Sequence, residues 1–287
     1  MNELRPIEDL LAELDTYTGF TKFDLVDEAL ARREEIVPHL LAILERIMAD
    51  PEGWLDGEHD IHSYALVLLT HFGEAAAHPL LLRLFSLPYE LVDPLFGEML
   101  GETLPAALFR TSGGSLEGIR ELILDRQAPD ICRWSACTAL TYAVAAGELD
   151  RAEAVRFFAG LLQQEQAEPE SCTWEGIIDG LIELHPGEAM AEIEAAYAAG
   201  LVDETFADLD YIRSKADLDV AAVLAELQEE YRRRTPENVH DYMRWWDQPG
   251  LREALRAANT EGRKRQDHRQ RKNKKKQAKK SKRRNRK

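Results

Sequence analysis

The densest set of potential metal ligands in the chain lies at residues 56–62, which read Asp-Gly-Glu-His-Asp-Ile-His. His59 and His62 are three residues apart, a spacing that places both imidazoles on one side of a helix, with Glu58 and Asp60 nearby. The segment lacks the HExxH pattern and the paired cysteines of common zinc sites. We therefore interpret it as a polar loop in which Asp60 caps the following helix. This interpretation predicts no metal or other cofactor, and an enzyme that uses the two histidines is the alternative.

Thiols and paired acids are the other residues that could do chemistry. Cys132 and Cys137 are five residues apart, which excludes the CxxC geometry, and Cys172 makes the cysteine count odd. We expect buried free thiols in a reducing cytoplasm. Adjacent acids such as Glu34-Glu35 and Glu229-Glu230 are expected on solvated helix faces in so acidic a chain. The sequence therefore predicts no catalytic residue, and we expect a protein that is not an enzyme.

Aromatic residues are concentrated near residue 245. Tyr242, Trp245 and Trp246 stand close together on a predicted helix from about residue 238 to 247. Tryptophan and tyrosine are frequent anchors in protein interfaces, so these residues are candidates for partner binding. The alternative is that they close the hydrophobic core at the last pair of helices.

The charge of the chain is strongly segregated. Residues 262–287 hold 16 Lys/Arg and one acid, whereas residues 1–261 hold 20 Lys/Arg and 51 Asp/Glu. The C-terminal segment has a net charge near +15 and the rest near −31. The segment has almost no apolar residue and is predicted to be disordered. Its candidate polyanion-binding residues are Lys274, Lys275, Lys276, Lys279, Lys280, Lys282, Arg283 and Arg284.

Three functions are compatible with this basic tail. It can bind RNA or ribosomes without sequence specificity, because cations that neutralise phosphates release counterions and no aromatic residue is present for base stacking. It can instead fold onto its own acidic body and regulate it. Anionic membrane binding, an address signal or a solubilising end forms the third group.

Helical spacing of apolar residues dominates the chain before the tail, and alternating strand patterns are nearly absent. Residues 130–162 form the clearest unit, a helix that Asp130 is positioned to cap, a glycine at Gly147, and a second helix from about Asp150. Four of the Gly-Glu pairs in the chain follow apolar helical runs, at glycines 73, 101, 147 and 187, with intervals of 28, 46 and 40 residues. Each glycine is predicted to end a helix with a positive φ. The loop at residues 111–115 is a possible boundary between two halves.

The unit resembles a HEAT-like repeat through Asp130, Arg133, Ala136 and Leu140 in its first helix. By length, acidic helices rich in alanine and leucine, and C-terminal lysines, residues 1–260 resemble an uncharacterised bacterial family described as a domain of unknown function. Many members of that family end in a SEC-C zinc motif. This tail contains no cysteine, so the zinc site does not carry over. The resemblance implies a helical array and no activity.

Together these features predict an all-α protein, a HEAT-like stack of antiparallel helical hairpins (an α-solenoid) over residues 1–260, followed by a disordered basic tail at 261–287. We expect a cytoplasmic binding or scaffold protein, because acids occupy the N-terminal positions that a signal peptide needs and no apolar run is long enough to span a membrane. Its body would bind a protein partner and its tail RNA, ribosomes or another polyanion.

Overall fold

Every regular element in the described part of the chain is a helix, which confirms the predicted all-α fold. The computed structural model describes residues 5–16, 21–55, 57, 59–164, 167–168, 171–203, 205–235 and 238–243. The α-helices are α1 (Ile7–Asp15), α2 (Phe23–Ala31), α3 (Arg33–Ala49), α4 (Ile61–Phe72), α5 (His78–Phe85), α6 (Tyr89–Phe96), α7 (Met99–Glu102), α8 (Leu104–Thr111), α9 (Glu117–Leu124), α10 (Asp130–Ala145), α11 (Arg151–Leu162), α12 (Cys172–Glu183), α13 (Met190–Ala198), α14 (Leu209–Ala216), α15 (Val220–Arg234) and α16 (Val239–Met243). Short 3-10 helices occur at Glu52–Trp54, Ala75–Ala77 and Pro186–Ala189.

Residue contacts divide the chain into two units. The first comprises Met1–Tyr17 and Lys22–Tyr242, and the second comprises Thr18–Thr21 and Met243–Lys287. The loop at 111–115, the possible boundary between two halves of the helical stack, lies inside the first unit. Thr111 and Ser112 are buried there rather than lying in an open linker. The predicted boundary at residue 260 lies outside the described residues.

Two of the four predicted glycine helix ends are correct. Gly73 ends α4 with φ 60°, and Gly147 follows α10 with φ 79°. The amide of Gly147 donates to Val144 and that of Glu148 to Ala143, so both orphan carbonyls are satisfied as in a Schellman motif. The other two predictions are wrong. Gly101 lies within α7, and Gly187 lies in a 3-10 helix whose preceding residue with positive φ is His185, at 74°.

Some predicted helix starts also differ from the structure. Pro129, with φ −56° and ψ 136°, occupies the N-cap position of α10, so Asp130 is the first helical residue and does not cap it. Its carboxylate accepts a hydrogen bond from the Thr173 hydroxyl at 3.0 Å instead, which ties α10 to the first turn of α12. Pro38 lies inside α3, which begins at Arg33.

Helix α10 is the centre of the first unit and packs against α7, α8, α9, α12 and α15. Small residues along it, including Ala136 and Ala139, are fully buried and allow this close packing. Arg133 is also buried, at 1% exposure, and its Nε donates to the Ile123 carbonyl at 2.9 Å. A buried guanidinium is tolerated there because it satisfies a carbonyl near the C-terminal end of α9.

Side-chain hydrogen bonds recur across a separation of 33 residues. They join His62 to the Leu95 carbonyl, His78 to the Thr111 hydroxyl, Arg120 to the Glu153 carboxylate, Arg151 to the Leu184 carbonyl and His185 to the Leu218 carbonyl. In the bonds of Arg151 and His185 the acceptor is a backbone carbonyl that follows or ends a helix. Other long-range side-chain bonds span different separations, such as 35 residues between Ser135 and Leu100 and 45 residues between Trp134 and Asp179. The shared separation is therefore a feature of these five bonds.

Candidate functional site

The two histidines of the possible metal site make separate structural bonds. His59 Nδ1 lies 2.8 Å from an Asp15 carboxylate oxygen, while His62 Nε2 donates to the Leu95 carbonyl at 2.7 Å. Both rings pack against Trp54, with centroid distances of 4.5 and 6.4 Å. Burial lowers the pKa of His62, so the neutral ring is favoured. Within the described residues, which exclude positions 56 and 58, no group of three His, Cys, Asp or Glu is arranged to hold a metal.

Asp15 performs the capping role that the sequence assigned to Asp60. Asp60 does occupy the N-cap position of α4, but its side chain makes no capping bond. The Oδ1 atom of Asp15 instead accepts from the amides of Asp60 and Ile61, at 2.9 and 3.0 Å. Burial raises the pKa of Asp15, but the bonds from His59 and the two amides outweigh burial and lower that pKa overall. The end of α1 is thereby fixed to the start of α4.

We expect Asp15→Ala to reduce the free energy of unfolding by about 1–2 kcal/mol at pH 7, the usual cost of losing a helix cap. Because the folded pKa is lowered, the contribution of Asp15 is present above its unfolded pKa near 3.8 and is lost as the pH falls through the folded value. Chemical denaturation at several pH values measures both effects. Asp9→Ala, on the exposed face of the same helix, is the control. A loss no greater than that of the control would contradict the cap.

The cysteines and the adjacent acids give no reactive site. Cys132 and Cys137 are buried free thiols as expected, and Cys172 is only half-buried. Burial raises the pKa of Cys132 to about 12 and that of Cys172 to about 11, so the nucleophilic thiolate is scarce at neutral pH. Glu34-Glu35 is exposed, whereas Glu230 is half-buried and bonded to two arginines.

Tyr242 lies beside a small pocket that is partly open to solvent. The pocket is lined by Val67, Thr70, His71, Ala106, Arg110, Thr235, Val239 and Tyr242. Arg110 is already engaged there, because it donates to the carbonyls of Thr70 and His71 at the end of α4. Trp245, Trp246 and the eight basic residues between Lys274 and Arg284 lie outside the described residues.

A group of acids that the sequence did not single out lies where α10, α12 and α15 pack together. Asp179 and Glu183 are one turn apart on α12, and Trp134 Nε1 on α10 donates to Asp179 at 3.3 Å. Across from them, the rings of Tyr142 and Tyr231 lie 5.5 Å apart. We call this group the carboxylate cluster; it consists of Trp134, Tyr142, Asp179, Glu183, Glu230 and Tyr231. Carboxyl, phenol and indole groups therefore lie close together here, and the Cys137 thiol is near them.

Electrostatics in the cluster favour neutral acids. Burial, and then the charges of Asp179 and Glu230, raise the pKa of Glu183 to about 8, with Thr141 partly opposing the rise. Burial also raises the pKa of Asp179 despite its bond from Trp134. Tyr142 is 4% exposed, and burial followed by the charges of Glu183 and Glu230 raises its pKa. The pair on α12 thus holds a proton at neutral pH that isolated carboxyl groups would release.

One carboxylate oxygen of the cluster is unsatisfied within the described part of the chain. Oε2 of Glu183 has no solvent access and no hydrogen-bond partner. No ion pair links Asp179 or Glu183 to a basic residue of the described ranges. An unpaired buried polar atom is costly, so this oxygen calls for an explanation.

The sequence signal for this cluster is weak. Glu175, Asp179 and Glu183 form a stripe at i, i+4 and i+8 of α12, between apolar residues such as Ile178 and Leu181. Such a stripe is normally a solvated helix face. Here α10 and α15 cover it, and Glu175 is only 6% exposed. The covering residue Tyr231 is distant in sequence, so local periodicity carries no information about it.

Comparison with known proteins gives a family without an assigned activity. Residues 5–249 match the family described as "Protein of unknown function (DUF1186)". Proteins called "Uncharacterized protein" from Chlamydia muridarum (strain MoPn / Nigg) and Chlamydia trachomatis serovar D (strain ATCC VR-885 / DSM 19411 / UW-3/Cx) are each 27% identical over 209 residues. The alignments cover 72% of this chain and 84% and 83% of those relatives. No solved structure matches the chain. The expected resemblance to an uncharacterised family is confirmed.

None of the helices in the described ranges combines the length and the apolar character needed to cross a bilayer.

Proposed function

The chain belongs to the DUF1186 family, and we propose that it is a non-enzymatic binding protein with two oppositely charged parts. The acidic helical body binds a basic protein partner, and the basic tail binds RNA or another polyanion. The observation that carries this proposal is the charge segregation, with 16 Lys/Arg against one acid in residues 262–287 and 51 acids against 20 Lys/Arg before them. An electrostatic field of one sign attracts partners of the opposite charge and repels partners of the same charge.

A repeated helical architecture supports the binding role of the body. The side-chain bonds that recur at a separation of 33 residues are what a stack of similar helical units produces, because each unit meets the next in the same way. The bond from Thr173 to Asp130 adds a similar link between neighbouring units. We assign the body to the HEAT-like class of repeats, whose stacked helices present extended surfaces to protein partners. The free thiols support a reducing compartment such as the cytoplasm.

Binding of single-stranded RNA across a salt series tests the tail. We expect the full chain to bind an unstructured RNA oligonucleotide with an affinity that falls steeply with salt, at a slope of roughly −0.7 for each neutralised phosphate. Replacing Lys274, Lys275 and Lys276 by glutamine should make this slope shallower by about two units. The matched control replaces three exposed arginines of the body, Arg83, Arg126 and Arg156, by glutamine.

Fluorescence anisotropy at several salt concentrations provides the measurement. The tail function is wrong if the control variant loses as much RNA affinity as the tail variant, or if the affinity of the unmodified chain does not depend on salt. Substitution of all eight basic residues between Lys274 and Arg284 should weaken the binding and its salt dependence further, because eight of the 16 Lys/Arg of the tail remain.

A further inference from the structure

The carboxylate cluster has features that identify the chemistry of a ligand. We propose that it binds the guanidinium group of an arginine side chain from a partner protein. This inference rests on the proposed function, since it specifies where the acidic body contacts a basic partner and which side chain it accepts. It concerns residues of the first unit alone and does not depend on the tail.

Two acids of the cluster are not paired with a cation among the described residues. Glu230 is bonded to Arg233 and Arg234, and Arg234 also bonds to Glu102. These two arginines are therefore engaged on the α15 side. The hydrogen bonds that the described residues give to Asp179 and Glu183, on the α12 side, come from the neutral side chains of Trp134 and Thr141. A cation placed beside this pair would supply the missing countercharge.

The unsatisfied atom of the cluster is an oxygen that can accept hydrogen bonds. Glu183 Oε2 has no partner within the described residues, and the buried Tyr142 side chain interacts electrostatically with Glu183 and Glu230. Guanidinium presents five N–H donors in a planar fork, which suits several acceptors and two carboxylates at once. An ammonium group has three donors on a compact centre and matches this arrangement less well.

The aromatic side chains of the cluster favour the same group. Trp134, Tyr142 and Tyr231 surround the acids, and Phe206 packs against Trp134 edge-on with a centroid distance of 5.5 Å. Trp134, Tyr231 and Phe206 are half-buried, as are Asp179 and Glu183, so parts of these rings and of both acids are exposed to solvent. Guanidinium stacks on aromatic faces and is more weakly hydrated than ammonium, so it loses less on entering such a site.

Arginine binding should be coupled to proton release. The titratable and charged groups that face Glu183 are Cys137 and Tyr142 on α10, Asp179 on α12, and Glu230 on α15, with Arg233 near Tyr142. A proton neutralises the acid pair in the free protein because its carboxyl pKa values are raised. An entering cation replaces that proton. The affinity should therefore increase as the pH rises from about 6 to about 8.

The experiment measures binding of a short fluorescein-labelled peptide of alternating arginine and glycine to the full chain. The test variant is Asp179→Asn with Glu183→Gln, and the control variant is Glu8→Gln with Asp9→Asn, which removes the same charge from exposed positions of α1. Loss of charge-assisted hydrogen bonds should weaken binding by about 10-fold or more in the test variant. The control should change affinity by less than about twofold, the range for screened surface charges.

Two comparisons on folded protein complete the test. A peptide with citrulline in place of arginine keeps the shape but loses the charge, and it should bind at least about 10-fold more weakly. Tyr142→Phe keeps the ring and should lower affinity by about 3- to 10-fold. Both comparisons hold even if the double variant fails to fold, which circular dichroism reveals.

Equal affinity of the test and control variants would overturn the arginine site while leaving binding of a basic partner elsewhere on the body intact. Equal binding of arginine and citrulline peptides would also overturn it. Tighter binding of a lysine peptide than of the arginine peptide would reject guanidinium as the ligand. The tail variants should lose RNA binding and keep peptide binding. The RNA-binding function of the tail and the arginine site of the body can therefore fail independently, and the two failures are distinguishable.

Discussion

Replacing Gly176 by alanine is expected to lower the free energy of unfolding by about 2–3 kcal/mol, the range for overpacking a close contact. A Cβ atom at Gly176 would lie 2.7 Å from Trp134 Cγ and 2.9 Å from Trp134 Cα. The second of these atoms is backbone, so relief requires α10 and α12 to move apart rather than a side chain to rotate. That movement would also disturb the bond from Trp134 to Asp179.

Gly160→Ala is the matched control for this substitution. Gly160 also lies inside a helix, α11, but an added Cβ would meet nothing within 4 Å. Alanine should therefore raise the free energy of unfolding there by about 0.5–1 kcal/mol, because it restricts the unfolded chain and favours helix. Urea denaturation of both variants measures the difference. If Gly176→Ala were as stable as Gly160→Ala, the close packing of α10 on α12 would be wrong.

Glu183→Gln is expected to stabilise the protein by about 2–3 kcal/mol at pH 9 and to have little effect at pH 4. Glu183 has an ordinary pKa of 4.5 when unfolded and a pKa near 8 when folded. Between these values the folded state holds a proton that the unfolded state has released, so stability falls as the pH rises from about 4.5 to about 8. Glutamine does not titrate and avoids this loss.

The expected size follows from the separation of the two pKa values. A full separation corresponds to about 4–5 kcal/mol, and relaxation of the surrounding structure around the charged carboxylate reduces the effect. Thermal or urea denaturation from pH 4 to pH 9 gives the measurement, with Glu148→Gln, at an exposed position, as the control. A stabilisation by Glu183→Gln that is the same at both ends of this range would show that Glu183 is not neutral in the folded protein.

Much of the fold follows from local sequence. Apolar spacing predicted the two helices on either side of Gly147, which are α10 and α11, and positive φ at Gly73 and Gly147 follows from their place after apolar helical runs. The same rule failed at Gly187, because His185 takes the positive φ and its ring bonds to the Leu218 carbonyl. That bond spans 33 residues and cannot be derived from neighbouring positions.

The candidate site was less accessible to sequence reasoning than the fold. Asp179 and Glu183 have the spacing of any solvated stripe, and their burial depends on Tyr142 and Tyr231 from distant helices. A glycine inside a helix, such as Gly176, can indicate close packing against another helix. The sequence does not show which helix makes that contact. Charge segregation, in contrast, is a property of composition and is visible without any structure.

The most direct test of the account is one titration that measures both binding functions on the same full-length protein. An RNA oligonucleotide and an arginine peptide, each labelled, are titrated against the unmodified chain, the Lys274/Lys275/Lys276→Gln variant and the Asp179→Asn/Glu183→Gln variant. We expect the first variant to lose affinity for RNA alone and the second to lose affinity for the peptide alone. If either variant lost affinity for both ligands, separate binding sites in the two charged parts would be contradicted. The same would follow if neither variant lost affinity for either ligand.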